Sequence, residues 1–399
     1  MNRHKSTTDK KVRVSIVMMS TFSGLSFKAP QLTPIIHHLS SIDLLADCLG
    51  IPEDTDRAEF SDKELEHLKR ARVMNLIMRV SDKILYALGS KDSYLVREKI
   101  FGFFAKHFFR ADGDIVLLKP RPVSLVSYYK NLGKIIVVEA SEAHTQYTYE
   151  SVKRECEDLE IPIIRNNYTN PKAINDFAAG VLMADRLICL SKFAAGTYES
   201  RGVDIEKIRI TGLTTGMQLV NPRIDIGGEI LFVSVANHSI LKGTLRLLRI
   251  WKKYHIANKL MIIGGIHADL KPYINEYKDA ENIIFTGSLN RDDITDIYSN
   301  NRCVEILLSV SEGYSRAVLE CLSTATPVIV TPCCTCDIVE DGENGYIVNS
   351  SDDDEIYRRI SEFNKMPISQ YSDMSVEAYK SAARVEDNFL EKYMGAIFE

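Results

Sequence analysis

A surplus of basic residues is the first thing this 399-residue chain lacks: 49 Lys and Arg stand against 54 Asp and Glu, for a net charge of −5 at pH 7. Tracking a nucleic-acid backbone needs clustered cations and salt-sensitive phosphate contacts, so a dedicated nucleic-acid binder is excluded. No stretch approaches the roughly 20 consecutive apolar residues of a membrane span. The eight cysteines show no paired spacing, and no signal peptide precedes the first apolar run. They read as reduced thiols, mostly small core residues, in a chain expected to be cytoplasmic or at most to rest on the inner face of the membrane. The run "CCTC" (Cys333–Cys336) invites a metal reading but lacks the second spaced pair that a structural zinc site uses, so neither metal nor cofactor is expected. "GGIHAD" (Gly264–Asp269) lacks G-x-G-x-x-G, which argues against a dehydrogenase.

What is present is a repeated pattern of short apolar runs. Such a length suggests two domains of roughly 150–200 residues with a cleft between them. The first series is "VRVSIVMM" (Val12–Met19), "DIVLLK" (Asp114–Lys119), "KIIVVEA" (Lys134–Ala140), "RLICLS" (Arg186–Ser191) and "KIRIT" (Lys207–Thr211). The second is "EILFVSV" (Glu229–Val235), "KLMIIGG" (Lys259–Gly265), "NIIFTG" (Asn282–Gly287), "VEILLS" (Val304–Ser309), "PVIVT" (Pro327–Thr331) and "GYIV" (Gly345–Val348). Fully apolar strands separated by helices indicate parallel sheets covered on both faces. The expected division is 1–218, then 219–370, then a last helix at 371–399 packing back on the first domain. "LTTGMQLVNPRIDIGG" (Leu213–Gly228), with little periodicity, reads as the hinge where the cleft opens.

Residues 51–110 read as a helical insertion in the first domain. Ser61 and Glu64 form a capping box, and Gly89 is expected to end the long helix they begin. A second helix, Val96–Arg110, places Val96, Ile100, Phe103, Phe104, His107 and Phe108 on one broad face. It either packs on its own domain or docks on an anionic membrane.

"SEGYSRAVLE" (Ser311–Glu320) carries the chemistry. Ligands of open parallel sheets sit beyond the carboxyl ends of strands, where loops enter helix N-termini. Glu312 occupies such a place, Gly313 is expected to permit a tight turn, and a helix beginning near Ser315 brings round Glu320. Amides from Tyr314 to Arg316 can hold phosphate oxygens, favoured by the helix dipole. A carboxylate accepts both hydrogens of a vicinal diol, so one acid suits a ribose and the other a hexose.

Residues 283–348, with the E-x7-E pair, the "ATPVIVT" strand and the "EDGENGYIV" turn, resemble the donor-binding half of family 4 glycosyltransferases, and Ala184–Gly212 resembles the segment that closes the first domain in that family. The resemblance implies an α/β fold of GT-B type: two doubly wound Rossmann-like domains facing each other across a cleft. It implies retaining transfer from a nucleotide-sugar donor to a glycan or lipid-linked acceptor in cell-envelope or exopolysaccharide biosynthesis, without a divalent metal. By the same resemblance Glu320 grips the ribose, Glu312 contacts the transferred sugar, and Lys242 in "HSILKG" neutralises the diphosphate. Asn237 stands nearest the position of the family's second clamp charge, for which Arg316 or Arg291 substitutes. Gly287 and Leu289 match the loop under the base, and Gly24 matches part of a glycine-rich turn after the first strand. His144, or Ser141 as the stricter match, faces the donor sugar; Lys119 and Arg121 are candidates for an acceptor phosphate or are surface charges. "DGD" (Asp112–Asp114) resembles the D-x-D of the other glycosyltransferase architecture, but it precedes its strand and reads as a turn. A nucleotide-sugar epimerase of the same architecture and a noncatalytic sugar-nucleotide-binding subunit are the alternatives.

Overall fold

The computed structural model describes residues 11–18, 32–49, 60–69, 72–88, 93–109, 111–166, 168–214, 218–222 and 227–399. In the first domain the strands are β1 (Val14–Val17), β2 (Leu45–Leu49), β3 (Leu68–Lys69), β4 (Ile115–Leu118), β5 (Ile135–Ala140), β6 (Arg186–Cys189) and β7 (Ile208–Ile210). Its helices are α1 (Leu32–Ser41), α2 (Asp62–His67), α3 (Arg72–Ala87), α4 (Ser93–His107), α5 (Val123–Asn131), α6 (Thr145–Asp158), α7 (Pro171–Leu182) and α8 (Lys192–Glu199). The second domain has β8 (Leu231–Val235), β9 (Leu260–Ile263), β10 (Ile283–Gly287), β11 (Cys303–Leu307), β12 (Val328–Val330) and β13 (Gly345–Ile347), with α9 (Thr244–Lys253), α10 (Arg291–Asn300), α11 (Arg316–Ser323) and α12 (Asp353–Lys365). The last helix, α13, runs unbroken from Ile368 to Phe398.

Every strand pairing is parallel, in the orders β3-β2-β1-β4-β5-β6-β7 and β10-β9-β8-β11-β12-β13. Central strands such as β4 and β11 are buried at every residue, because helices cover both faces. The strand order reverses between β1 and β4 in one sheet and between β8 and β11 in the other. A crevice opens at each such reversal, outside the carboxyl ends of the strands.

Two expectations need correction, and the last helix does more than expected. The capping box at Ser61 and Glu64 is formed, but its helix stops at His67, where the chain turns extended and Leu68 and Lys69 pair with Cys48 and Leu49. The insertion therefore adds an edge strand, and the expected stop at Gly89 lies outside the described residues. Helix α4 buries Glu98, Phe101, Gly102, Ala105 and, just past its end, Phe109, while Phe103, His107 and Phe108 are exposed. The buried line is thus turned away from the face expected from sequence: Glu98 goes inward because Arg121 meets it at 3.3 Å. Finally, α13 serves both domains. Tyr371 and Met374 join the second domain's core, whereas Phe389, Tyr393, Ala396 and Ile397 join the first domain's. The Tyr371 hydroxyl donates to the Cys303 carbonyl at 2.6 Å, and Arg186 donates to the Ile397 carbonyl at 2.5 Å.

The domains share more than this helix. Val152 and Cys156 of α6 and Leu159 just past its end belong to the second domain's core cluster. Arg246 of α9, 5% exposed, reaches across to Glu155 of α6, which is 2% exposed. Its Nε and Nη2 lie 3.0 and 2.8 Å from the two carboxylate oxygens, and Nη1 lies 3.1 Å from Asp353. A planar guanidinium bonding a carboxylate through two parallel contacts fixes angle as well as distance.

Glu305, in the middle of β11, is fully buried and accepts hydrogen bonds from the Val235 amide at 2.9 Å and the Tyr298 hydroxyl at 2.6 Å. Burial outweighs these bonds and pushes its carboxyl from 4.5 up to about 8. Between those values the folded chain holds a proton the unfolded chain has released, so stability falls as pH rises through the window. Glu305→Gln, which cannot titrate, is expected to flatten the decline in melting temperature between pH 6 and pH 9. An undiminished decline in the variant would assign the slope to other groups.

Candidate functional site

The second sheet reverses between β8 and β11, and each strand delivers one charged residue there. Lys242 follows β8 and Glu312 follows β11. Their side chains form an ion pair, with 25% and 11% of each exposed, and Ser309 Oγ donates to Glu312 Oε1 at 2.9 Å. Burial alone pulls the lysine ammonium down, but the Glu312 charge and hydrogen bond outweigh it and push Lys242 up to about 12. It is a full cation at neutral pH.

The Lys242–Gly243 step explains how the cation comes so close. Gly243 caps α9 with φ +68°, and a Cβ there would lie 2.1 Å from the Leu308 carbonyl oxygen. Only glycine meets both demands. Behind it the buried His238 bridges the Thr244 hydroxyl at 3.0 Å and the Ile263 carbonyl at 3.1 Å. Burial lowers this imidazole to about 4, so it is neutral. His238 anchors the loop that carries Asn237, which is exposed, and Lys242.

Gly313 departs from a further expectation. Its φ is not positive, so the turn does not require glycine. Clearance does: a Cβ would fall 2.0 Å from the Ser141 carbonyl oxygen and 2.6 Å from Glu142 Cα of the other domain. Ser191 donates to the Gly313 carbonyl at 2.7 Å, and the Thr148 and Ser311 hydroxyls meet at 2.8 Å. The Glu312 loop is thus pressed against the carboxyl end of the first sheet.

"CCTC" is part of this loop's support. Cys333 Sγ donates to the Ser309 carbonyl at 3.0 Å and Cys336 Sγ to the Ser315 carbonyl at 3.2 Å. Burial pushes both thiols well above their ordinary value and keeps them donors. The two cysteines therefore hold the two ends of residues 309–315. Among the described residues no group of three or more His, Cys, Asp or Glu is arranged to hold a metal ion.

Ser315 precedes α11 as its buried N-cap without a side-chain capping bond, Tyr314 is 8% exposed, and Arg316 opens the helix. Burial lowers the Arg316 guanidinium despite Glu320 nearby. Glu320 sits one turn on, 3.0 Å from Arg291 at the start of α10, and burial pushes its carboxyl up against the pull of Arg291 and Arg316. Both acids of the pair therefore hold a cation. Gly287 lies in open space at the end of β10, and half-buried Leu289 packs against the core nearby.

On the first-domain side, Lys119 follows β4 at that sheet's own reversal. It turns inward to Glu139 at 2.5 Å, and Glu139, fully buried, also takes the Tyr393 hydroxyl from α13 and the Ser141 hydroxyl at 2.9 Å. Arg121 is held by Glu98 and lies over the Tyr94 ring, 5.7 Å from its centroid. Neither cation is a loose surface charge. His144 caps α6, its Nδ1 accepting from the Gln146 amide at 3.2 Å, and burial lowers it to about 4. Gly24 lies outside the described residues. Sequence reasoning missed Ser309, His238, Ser191 and Glu139; for the last three the signal is spatial, since each acts on a residue far off in the chain, and Ser309 acts on Glu312 three residues on through a loop shape that no local pattern announces.

Residues 222–381 match the model of the family described as Glycosyl transferases group 1. Across nearly the whole chain the fold is that of solved glycosyltransferases. The lipopolysaccharide outer core galactosyltransferase WaaB, in its apo form, superposes with a TM-score of 0.60 at 14% identity, covering 97% of this chain and 99% of that one. HepE of Anabaena, in complex with UDP, gives 0.62 at 11%, covering 96% and 99%. Sucrose-phosphate synthase from Thermosynechococcus elongatus gives 0.58 at 15%, covering 75% and 76%. The chain has the GT-B fold, and its residues 222–381 match a group 1 glycosyltransferase domain. No relative among curated proteins is found by sequence. The matched residues take in Lys242, Glu312 and Glu320, so the ion-paired acids and the half-buried lysine all fall within the matched segment.

Gly313→Ala tests the clearance. The added methyl must push Ser141 and the Glu312 loop apart by about an ångström or more, and displacement of that size can cost roughly 10²-fold in rate. Activity in whatever transfer assay reports wild type is expected to fall by that order with the melting temperature little changed. Full activity would show that the domains need not approach this closely.

Proposed function

We propose that the chain is a retaining, family 4 enzyme that moves a sugar from a nucleotide-sugar donor to a glycan or lipid-linked acceptor. The acceptor class points to cell-envelope or exopolysaccharide assembly on the cytoplasmic side of the membrane. The observation that carries the reading is the Lys242–Glu312 pair at the reversal of the second sheet, set against the first domain at Gly313.

In this reading the donor exchanges partners with the pair. Its diphosphate takes Lys242 and the amides at the start of α11, and Glu312, relieved of the ammonium, accepts hydrogen bonds from hydroxyls of the transferred sugar. Both groups are already desolvated, so little reorganisation is needed as charge develops on the leaving diphosphate. Arg291 and Glu320 form a second pair that opens in the same way, the carboxylate to the ribose diol and the guanidinium toward phosphate. Arg291 then supplies the second clamp charge where Asn237 replaces the usual arginine. His144 is neutral and its Nδ1 is spent on the helix cap, so its role is to orient a sugar hydroxyl through Nε2, not to move a proton. Uridine diphosphate sugars are the first donors to try, because HepE binds UDP and UDP-glucose.

The test is nucleotide release from a panel of UDP- and GDP-sugars, with and without a crude glycan or lipid acceptor fraction. Transfer gives acceptor-dependent nucleoside diphosphate, epimerisation gives a new nucleotide sugar and no free diphosphate, and a noncatalytic subunit gives neither. Lys242→Ala is expected to lower kcat by about 10²–10³, the size found when one donor to a developing anion is removed. Glu320→Ala is expected to act mainly on the donor KM. An active Lys242→Ala enzyme would remove the diphosphate role, and an inverted product anomer by NMR would remove retention.

A further inference from the structure

The insertion carries a surface that the transfer site does not use. Helix α3 buries Met74, Asn75 and Met78, yet Val73, Leu76, Ile77, Val80 and Ile84 are 65%, 62%, 41%, 48% and 55% exposed, and Leu88 just beyond is 75% exposed. Spacings of three, four, seven, eleven and fifteen residues from Val73 put these side chains on one stripe. At 1.5 Å per residue the stripe is about 22 Å long. Monomeric soluble proteins seldom show a continuous apolar strip of this kind without a partner. The helix is therefore apolar on two sides, one facing its own domain and one facing outward.

Charge says what covers the outward side. Arg79 and Lys83, seven and eleven residues after Arg72, lie along one flank of the stripe and are exposed; Asp82 lies on the far side, where it pairs with Arg97 of α4 at 3.5 Å. On α4 the exposed residues are Lys99, Phe103 and His107, followed by Phe108, and its acid, Glu98, is buried. Among the described residues of the two helices every exposed formal charge is positive, in a chain of net charge −5. A second copy of this surface would set like charges against each other. No described helix is long and apolar enough to cross a bilayer.

We infer that α3 is an in-plane membrane-docking helix that lays the Val73–Leu88 stripe among the acyl chains of an anionic lipid surface, with Arg79 and Lys83 at the headgroups. This is the arrangement in which an amphipathic helix rests on a bilayer, and the cations add electrostatic attraction that salt weakens. The site is distinct from the sheet reversals, so docking and donor chemistry can fail separately.

Flotation of the full chain with phosphatidylglycerol-containing and pure phosphatidylcholine vesicles tests it. Wild type is expected to float with the anionic vesicles, less in high salt, and little with the zwitterionic ones. Leu76→Ser/Val80→Ser/Ile84→Ser should reduce the floated fraction at least tenfold, with its melting temperature and its nucleotide release on a water-soluble acceptor unchanged; Arg79→Ser/Lys83→Ser should remove the preference for anionic lipid. Wild type that stays unbound on anionic vesicles overturns the inference, as does flotation indifferent to the triple substitution. A concentration-dependent dimer in sedimentation velocity, dissociated by the triple substitution, would instead assign the stripe to a second copy of the chain. If only Phe103→Ser/Phe108→Ser abolished flotation, the docking element would be α4.

Discussion

The closeness of two backbones at Gly313 and Ser141 is the constraint on which the site depends. Each sheet ends in loops that point at the other, and the two halves form one site only where those loops touch. Contact at this range leaves no room for a Cβ. It places the Glu312 carboxylate beside the first domain and sets the orientation of α11 behind it. Ser191 and Thr148 supply hydrogen bonds from the opposite side, while Cys333 and Cys336 hold the loop from below.

A contact that close would be unsteady if two domains met only there. The structure adds α6, whose apolar face joins the second domain's core, the Arg246–Glu155 pair, and α13, which is cored into both domains. Breaking a buried ion pair by separating its partners leaves a desolvated charge behind and is costly. The interface therefore favours the approached arrangement, and any opening of the cleft has to keep these contacts or exchange them for water. Tyr393 extends the same logic to the first domain, where it helps hold Glu139, and through it Lys119, at the carboxyl end of the sheet.

The two ion pairs have a physical reason. A lysine and two glutamates at the mouth of a sheet, largely out of water, cannot remain unpaired without a large desolvation cost. Lys242 with Glu312 and Arg291 with Glu320 satisfy one another. In the proposed reading this pairing suits an anion and a polyol together, the anion taking the lysine and the polyol the glutamate.

Much of the architecture was legible because parallel strands buried on both faces must be apolar throughout. Eleven of the runs noted in the sequence became strands within a residue or two of their expected bounds. β2 and β3 were not visible: "LADCL" carries an aspartate that is tolerated only because the Asp112 amide meets it at 2.9 Å, and Leu68–Lys69 is too short to show a period. The buried face of α4 was misread because Glu98 is polar by type and internal by virtue of Arg121, a partner more than twenty residues away. By itself the sequence determined the two parallel sheets and the spacing of Glu312 and Glu320, since burial and helical periodicity are local properties of a chain. The tertiary structure alone decided which charges pair, why Gly313 has no side chain, what the cysteine run does and which helix face is left bare, because each depends on a contact between residues distant in sequence.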